Sequence, residues 1–520
     1  MELELKLLLD PAEVGAFRRH PLLKQTATGK PRTQQLTSIY FDTPELYLKQ
    51  NEAALRVRKV GRSWVQTFKG GGRVEAGLHQ RHEWESEVGG ANPDLSALRA
   101  LAEADDSPLA QLLSDPTLAK RLTPIFTTEF QRTIWLLRLA DGAEVELALD
   151  QGTVQHGRQQ LPISEVELEL KAGDAGSLFD LALALQDKVA LRVGNISKAE
   201  RGYGLHVPQP PAVIKAETFE LDPALDVEQG FQVIAGDCLA QIQGNESGVV
   251  FGSDPESVHQ MRIGLRRLRA AFDVFGRALP NPVEILAELD WLGGELGPAR
   301  DWQVLADETL ANVAVRCPDA PQLTALCELA LRQARTQRKV AVAAVDSVRY
   351  ARLMLLLASW LQGQHWRDVL LESDSETADQ LALLAMPLKQ FAQEKLALLQ
   401  QKLRKRGKQL KHGDAQLRHR TRIAAKKTRY VAEFFQSYFP SRRTHAYLAA
   451  LMTLQDTLGG ANDRAVAAQL LQQLVRKQPK LAAGSGFVSG FYAADSRREL
   501  RKIVRLWHGF IALKPPVKSK

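Results

Sequence analysis

The first ten residues, MELELKLLLD (1–10), decide how the amino-terminal half folds. Charged and apolar residues alternate there. On a strand, successive side chains point to opposite faces, so Glu2, Glu4 and Lys6 share one face while Leu3, Leu5 and Leu7 share the other. The same pattern recurs downstream. Glu165, Glu167, Glu169 and Lys171 alternate with Val166, Leu168 and Leu170; Arg56 and Arg58 alternate with Leu55 and Val57. Arg81, Glu83, Glu85 and Glu87 form a further set, as do Glu144 and Glu146.

An ordinary solvated sheet face intersperses signs, because like charges placed close together are destabilising. Carboxylates at i and i+2 lie about 7 Å apart and repel by roughly 2 kcal/mol at an effective dielectric of about 20. A strand bearing three acids and another bearing two bases therefore ask for guests: divalent cations among the carboxylates and a polyanion among the arginines. The reading is a closed antiparallel β-tunnel with flanking helices. Its charged faces point inward as an acidic and a basic wall, and its apolar outside is partly covered by the helices.

The chain of 520 residues, 45% hydrophobic and 25% charged, has the composition of a multi-domain globular protein rather than a disordered or membrane-spanning one. No apolar run approaches the roughly 18 residues of a membrane helix, and the amino terminus carries acids where a signal peptide carries bases. The expected location is the cytoplasm, with no membrane partner. Cys238, Cys317 and Cys327 have no metal-ligand spacing. The net charge of +8 favours polyanionic partners.

The Pro-rich stretch HVPQPPAVIKAE, His206 to Glu217, separates two halves of different character. We expect a strand-rich α+β domain over 1–206, a linker over 207–216, an all-α helical domain over 217–510 and a tail over 511–520. The helical domain repeats itself, with halves at about 217–380 and 381–510. VHQMRIGLRRLRAAFDVF, from Val258, matches RHRTRIAAKKTRYVAEFF, and LGPARDWQV, from Leu296, matches LGGANDRAV, from Leu458, so that Asp301 corresponds to Asp463. On a helix, His259, Arg262, Arg266 and Arg269 make one basic stripe, and His419, Arg422, Lys426 and Arg429 make its counterpart. Two such stripes facing each other form a groove for a linear polyanion. Nucleic acid is disfavoured: no aromatics interleave the bases and no helix-turn-helix or zinc pattern appears, although Lys402 to Lys411 (KLRKRGKQLK) is basic as well.

MELELK fits the E-x-E-x-K signature of the CYTH family of triphosphate tunnel metalloenzymes. YFDTP, LRVR, TFKGGGR, HQRHEWE, TEFQRT, ALDQGTV, EVELEL and SKAERGYG follow in that family's order up to about residue 205. The repeated basic helices and the G-x-x-R/N-D motifs resemble a CHAD domain, a module associated with polyphosphate. The whole chain resembles the bacterial CYTH–CHAD inorganic triphosphatases, which implies metal-dependent hydrolysis of inorganic triphosphate to pyrophosphate and phosphate. It further implies that Glu2, Glu4, Asp150, Glu167 and Glu169 ligate Mg²⁺ or Mn²⁺, two ions being expected. Lys6, Arg56, Arg58, Lys69, Arg81, Arg132 and Lys198 then hold the triphosphate, and Glu2, Glu4, Lys6, Arg56, Arg58, Glu167 and Glu169 form the catalytic set. Which two of Glu165, Glu167 and Glu169 ligate stays open. The CHAD stripes are implied to bind polyphosphate.

The resemblance also leaves room for thiamine triphosphatase, a class IV-type adenylyl cyclase, or a polyphosphate-binding scaffold or sensor. Strand parity favours the bare inorganic substrate. Trp64 lies five residues from Lys69, Trp84 one from Glu83 and Glu85, and Trp135 three from Arg132, so each indole is expected to point away from the tunnel.

Overall fold

The computed structural model describes residues 2–75, 77–103, 105, 107–218, 220–371, 377–408, 410 and 415–517. They form two compact units: Met1–Pro210 with Ser347–His365, and Pro211–Asp346 with Trp366–Lys520. The boundary falls within residues 207–218, which carry neither helix nor strand.

In the first unit the strands are β1 (Glu2–Leu9), β2 (Arg32–Asp42), β3 (Ala53–Val60), β4 (Ser63–Glu75), β5 (Leu78–Val88), β6 (Thr123–Arg138), β7 (Glu144–His156), β8 (Gln159–Ala172) and β9 (Leu191–Val193). They are ordered β5-β4-β3-β2-β6-β7-β8-β1, and antiparallel pairing of β1 with β5 closes the barrel while β9 adds to β1. Closure comes from the opening stretch itself. Because β1 is flanked by β8 on one side and β5 on the other, Glu4 stands opposite both Glu169 and His79.

Alternation then sorts the side chains. Leu55, Val57 and Phe68 are buried outside the barrel against Leu95, Leu98, Leu109, Leu112 and Leu113, carried by the helices Leu95–Ala102 and Pro108–Leu113. Each such burial contributes roughly 1.5–3 kcal/mol. Trp64 and Trp84 pack against this cluster, as their parity requires.

The barrel's inner face is not charged throughout. Leu36, Tyr40, Phe126, Phe130, Val154, Ile163 and Tyr203 form an apolar cluster. Tyr40 stacks on Phe126 at 4.5 Å and Phe126 meets Tyr203 edge-on at 5.2 Å. Tyr203 belongs to the helix Lys198–His206, and a Cβ at Gly202 would lie 2.1 Å from the Phe126 ring, so only glycine permits this approach.

The helix Val348–Gln362 departs from the expected boundaries. It falls in the sequence of the first half of the expected helical domain (217–380), yet it packs with the helix Ala175–Gln186 and β9 of the first unit. Ser359 Oγ donates to Asp180 Oδ1 at 2.7 Å, and Arg352 reaches Asp187 at 3.0 Å.

The second unit is helical. Val227–Gly244, Glu256–Phe275, Val283–Gln303 and Thr324–Val345 are matched by Leu388–Gly407, Ala415–Phe434, Ser441–Lys477 and Ala482–Ala512. The two repeat helices, Glu256–Phe275 and Ala415–Phe434, are both 20 residues long. Their equivalent phenylalanines meet, Phe275 lying 6.2 Å from Phe435 and 5.0 Å from Phe391, with Phe231 5.3 Å from Phe275. The duplication thus shares one aromatic core. No described helix is long and apolar enough to cross a membrane.

Candidate functional site

The inward faces of the barrel meet in a cavity lined by Glu4, Lys6, Arg56, Arg58, Lys69, Arg81, Arg132, Glu167 and Lys198, together with Tyr40, Ala54, His79, Ser197 and Ala199. Register explains the assembly. Lys6 lies opposite Glu167, Arg132 opposite Asp150, Asp150 opposite Glu165 and Lys69 opposite Glu83. Lys198 comes from the first turn of its helix, whose amino end is fixed by a capping box between Ser197 and Glu200.

On the acidic side, Glu167 Oε1 accepts from Lys6 Nζ at 2.7 Å and Lys198 Nζ at 2.8 Å, while Arg132 donates to Oε2. Arg132 grips Asp150 with two bonds, 2.8 Å from Nε and 2.7 Å from Nη2, and Lys198 lies 2.6 Å from the same carboxylate. Glu165 pairs with Lys198 and Arg201, and Glu4 pairs with Lys6. The repulsion inferred from spacing is therefore relieved here by cations of the protein itself. Asp42, by contrast, is a structural anchor: buried, it accepts from the backbone of Thr43, Leu48 and Lys49 and from the Tyr203 hydroxyl at 2.9 Å.

Burial alone would push these groups toward neutrality; charge pairing overrides it. Desolvation raises Glu167, yet Lys198, Lys6 and Arg132 hold its carboxyl well below the usual range. Asp150 is likewise held down by Lys198 and Arg132 against its burial. Burial would lower Lys6 and Lys198, but Glu167 with Glu4, and Asp150 with Glu165, hold the two ammoniums above their ordinary values.

The opposite side keeps positive charge in excess. Arg58 donates from Nε to Ser38 Oγ at 3.0 Å, and burial with the nearby Arg56 and Arg132 pushes its guanidinium down to about 9. Arg56 and Lys69 approach one carboxylate, Glu83, at 3.5 and 3.4 Å, and Arg81 lies 3.7 Å from Glu200. Arg58, Arg132 and Lys198 surround the Phe130 ring at 5.8, 5.7 and 5.0 Å. Tyr40 is buried, which raises its hydroxyl, but Arg56, Arg58, Lys69 and Lys198 together bring it below its ordinary value. None of the three tryptophans lines the cavity, and the aromatic Tyr40 that does is already stacked on Phe126.

Of the proposed metal ligands, Asp150 and Glu167 come together with Glu165, each offering one oxygen within 4.8 Å of the others. That all-oxygen donor set suits a hard divalent cation. Glu4 joins them through Lys6, which it shares with Glu167. Glu169 does not belong to this group: it pairs with Lys171 at 2.6 Å. The Glu2 side chain lies outside the description; its backbone is opposite Arg81. Sequence reasoning placed Glu83 on the inner face without a partner, and missed Tyr40 and His79 as lining groups. Parity carried the signal, since His79 and Glu83 are each two residues from Arg81 and Tyr40 lies opposite Arg56 in register.

His79 is buried, 3% exposed, and Nε2 lies 3.1 Å from the Gly194 carbonyl oxygen. Desolvation, then Lys6 and Arg81, push its ring down to about 3, so it is neutral.

In the helical unit the two stripes face each other electrostatically. Burial, with Arg266, Arg422 and Arg429 close by, pushes the Lys426 ammonium down to about 7 despite Asp463. Burial and the neighbouring Arg300, Arg266 and Arg262 push His259 down to about 4. Burial, joined by the like charge of Asp463, raises the Asp301 carboxyl even though Arg262 opposes it, so the matched aspartates of the two repeats lie near one another. Not every stripe residue is equally placed. Arg262 donates to the Leu296 carbonyl at 3.1 Å, Arg269 pairs with Asp290, Arg429 lies 3.5 Å from Glu433, and His419 is exposed. In the run Lys402–Lys411, residues 409 and 411 lie outside the description.

A family model for the CYTH domain matches residues 1–203, and one for the CHAD domain matches residues 233–472. An inorganic triphosphatase of Haemophilus influenzae is 34% identical over 203 residues, which is 39% of this chain and 54% of that protein. An uncharacterized protein of Mycobacterium tuberculosis is 28% identical over 361 residues, 62% of each chain. The chain thus spans between about half and three fifths of these relatives' lengths. The crystal structure of the CHAD domain from the plant Ricinus communis shares 37% identity, with a TM-score of 0.51 over 59% of this chain and 98% of that one.

Proposed function

We propose that this chain, which belongs to the CYTH family over its first domain and the CHAD family over its second, hydrolyses inorganic triphosphate to pyrophosphate and phosphate in the barrel. One observation carries the reading: a cavity in the barrel is lined by Arg56, Arg58, Lys69 and Arg81 together with Glu4 and Glu167, and Glu167 converges with Asp150 and Glu165. A row of guanidinium and ammonium groups matches a chain of phosphates, and the forked donors of arginine bind phosphate oxygens in pairs. The acidic group fits Mg²⁺ or Mn²⁺, held by Glu4, Glu167, Asp150 and Glu165, with Glu2 and Glu169 as further candidates. Bound there, the metal supplies charge neutralisation and activation of water.

Arg56, Arg58, Lys69 and Arg81 hold the anion extended and stabilise the negative charge gathering on the departing pyrophosphate. Lys6 and Lys198, gathered at Glu167 on the cavity wall, would add ammonium donors for phosphate oxygens. Water adds to the terminal phosphorus as the bridging P–O bond breaks, with pyrophosphate leaving. Nucleotide or thiamine esters gain little here, because among the described residues no tryptophan lines the cavity and its tyrosine, Tyr40, is already stacked on Phe126.

The CHAD half binds a linear polyanion such as polyphosphate through the facing stripes around Arg266, Arg422 and Lys426, where the like charges call for an anionic guest. The test uses the full chain with Mg²⁺ or Mn²⁺. Phosphate and pyrophosphate should appear in equal amounts from triphosphate, and Glu4→Gln should reduce the rate by at least about a hundredfold without unfolding the protein. Undiminished turnover by Glu4→Gln would refute the site.

A further inference from the structure

His79 is a buried imidazole with one ring nitrogen accounted for and one not. Nε2 faces the Gly194 carbonyl oxygen at 3.1 Å, and a carbonyl only accepts, so Nε2 carries the hydrogen and the lone pair is on Nδ1. Nδ1 is buried and has no hydrogen-bond partner among the described residues. Buried polar atoms are rarely left unmet, so this lone pair is available to a partner.

The register fixes its neighbours. His79 lines the cavity, on the same face of β5 as Arg81, and stands opposite Glu4 in the β1–β5 register. Side chains directly opposite on one face of an antiparallel pair have Cβ atoms about 4.5–5.5 Å apart, so His79 and Glu4 are neighbours on the inner face. The ring is also held in place. Gly194 N donates to the Lys6 carbonyl at 2.8 Å, Lys6 N donates to the Gly77 carbonyl at 3.0 Å, and Gly77 N donates to Asn195 Oδ1 at 2.9 Å. Gly77 has φ +80°, and a Cβ there would lie 2.5 Å from Val193, so glycine is required where the backbone ties to Lys6 and to Asn195, the neighbour of Gly194. A ring whose N–H is tied to a backbone carbonyl, leaving the other nitrogen free, is the arrangement in which histidines ligate metals.

We propose that His79 Nδ1 is a nitrogen ligand to the divalent ion that Glu4 helps to hold, making this a mixed imidazole–carboxylate site. The inference rests on the reading above that the tunnel binds a metal. Its consequence is selectivity: one imidazole ligand favours Mn²⁺ and later transition ions over Mg²⁺, which prefers oxygen alone.

The test uses the full chain with Mn²⁺ as the only added ligand. Electron spin-echo spectra should show coupling of the bound Mn²⁺ to an imidazole nitrogen, and His79→Gln should abolish it. That variant keeps an amide able to donate to Gly194 but lacks the Nδ1 lone pair. Mn²⁺ affinity should fall roughly tenfold in the variant while Mg²⁺ affinity changes less. If His79→Gln does not fold, the unaltered chain made with heavy-nitrogen histidine should show the coupling change with the isotope, and His79→Asn should lose it. Bound Mn²⁺ without nitrogen coupling, or coupling that survives in the variants, overturns the role of His79 and leaves the metal site standing. No Mn²⁺ binding at all overturns both.

Discussion

Lys6, Lys198 and Arg132 all converge on Glu167, and that single carboxylate links β1, β6, β8 and the helix Lys198–His206. Removing its charge leaves buried cations short of a partner, a loss that in buried pairs is about 3–5 kcal/mol. Glu167→Gln is accordingly expected to lower the melting temperature by several degrees as well as to suppress hydrolysis, measured by calorimetry and phosphate release. A variant with unchanged melting would show that the convergence does not stabilise the fold. The pH dependence has a definite sign. Glu167 and Asp150 have carboxyls depressed in the folded state, so their contribution is present above the ordinary carboxylate range, around 4.5, and is lost as pH falls through their folded values. Acid titration of the melting temperature should show stability declining below that range.

At this scale, parity made most of the site legible: Lys6, Arg56, Arg58, Arg132 and Glu167 point inward as alternation requires. What parity could not supply was partnership. Spacing alone shows Glu165 and Glu167 repelling each other, whereas Lys198 and Arg201 arrive from a helix distant in sequence and neutralise them. Phe130 shows the same limit. Its parity with Arg132 puts it on the inner face, but only the fold reveals that its ring is ringed by cations.

Among the elements, the helix Val348–Gln362 is where sequence and fold part. Its periodicity identifies a helix, and composition assigns it to the helical half, but period does not say which neighbour buries it. Tyr350, Ala351, Leu353, Met354, Leu357, Ala358 and Leu361 are buried along it, and Ser359 is tied to Asp180. A fragment of residues 1–210 is therefore expected to expose the apolar surface of the helix Ala175–Gln186 and to melt lower than the same domain in the full chain. Adding a peptide of residues 347–365 should raise its melting temperature again. A fragment already as stable alone, and indifferent to the peptide, would show that this packing contributes nothing. The repeat helices, in contrast, carry their likeness in the sequence: the matched stretches from Val258 and Arg418 lie on helices of 20 residues each, and Phe275 and Phe435 meet in one core.

At the scale of the whole molecule, positive charge gathers on one wall of the barrel and on the facing CHAD stripes. Lys426, pushed down to about 7, gives the second a measurable pH dependence. Unfolded, its ammonium titrates near 10.5, so its burial penalty is present below about 7 and is relieved as pH rises from there toward 10.5. A bound polyanion reverses the shift and takes up a proton. Polyphosphate affinity should therefore be greatest below pH 7 and fall roughly tenfold or more by about pH 9, with Lys426→Met flattening the profile. Calorimetry in buffers of different ionisation enthalpy reads the proton uptake; a profile equally steep in the variant would move the effect elsewhere.

The barrel carries the central claim, that charge without a free aromatic face selects a bare phosphate chain. Initial rates of the full chain with Mg²⁺ on inorganic triphosphate, ATP and thiamine triphosphate test it most directly. Inorganic triphosphate should be cleaved at least about tenfold faster than either ester; equal rates, or a preference for an ester, would contradict the account.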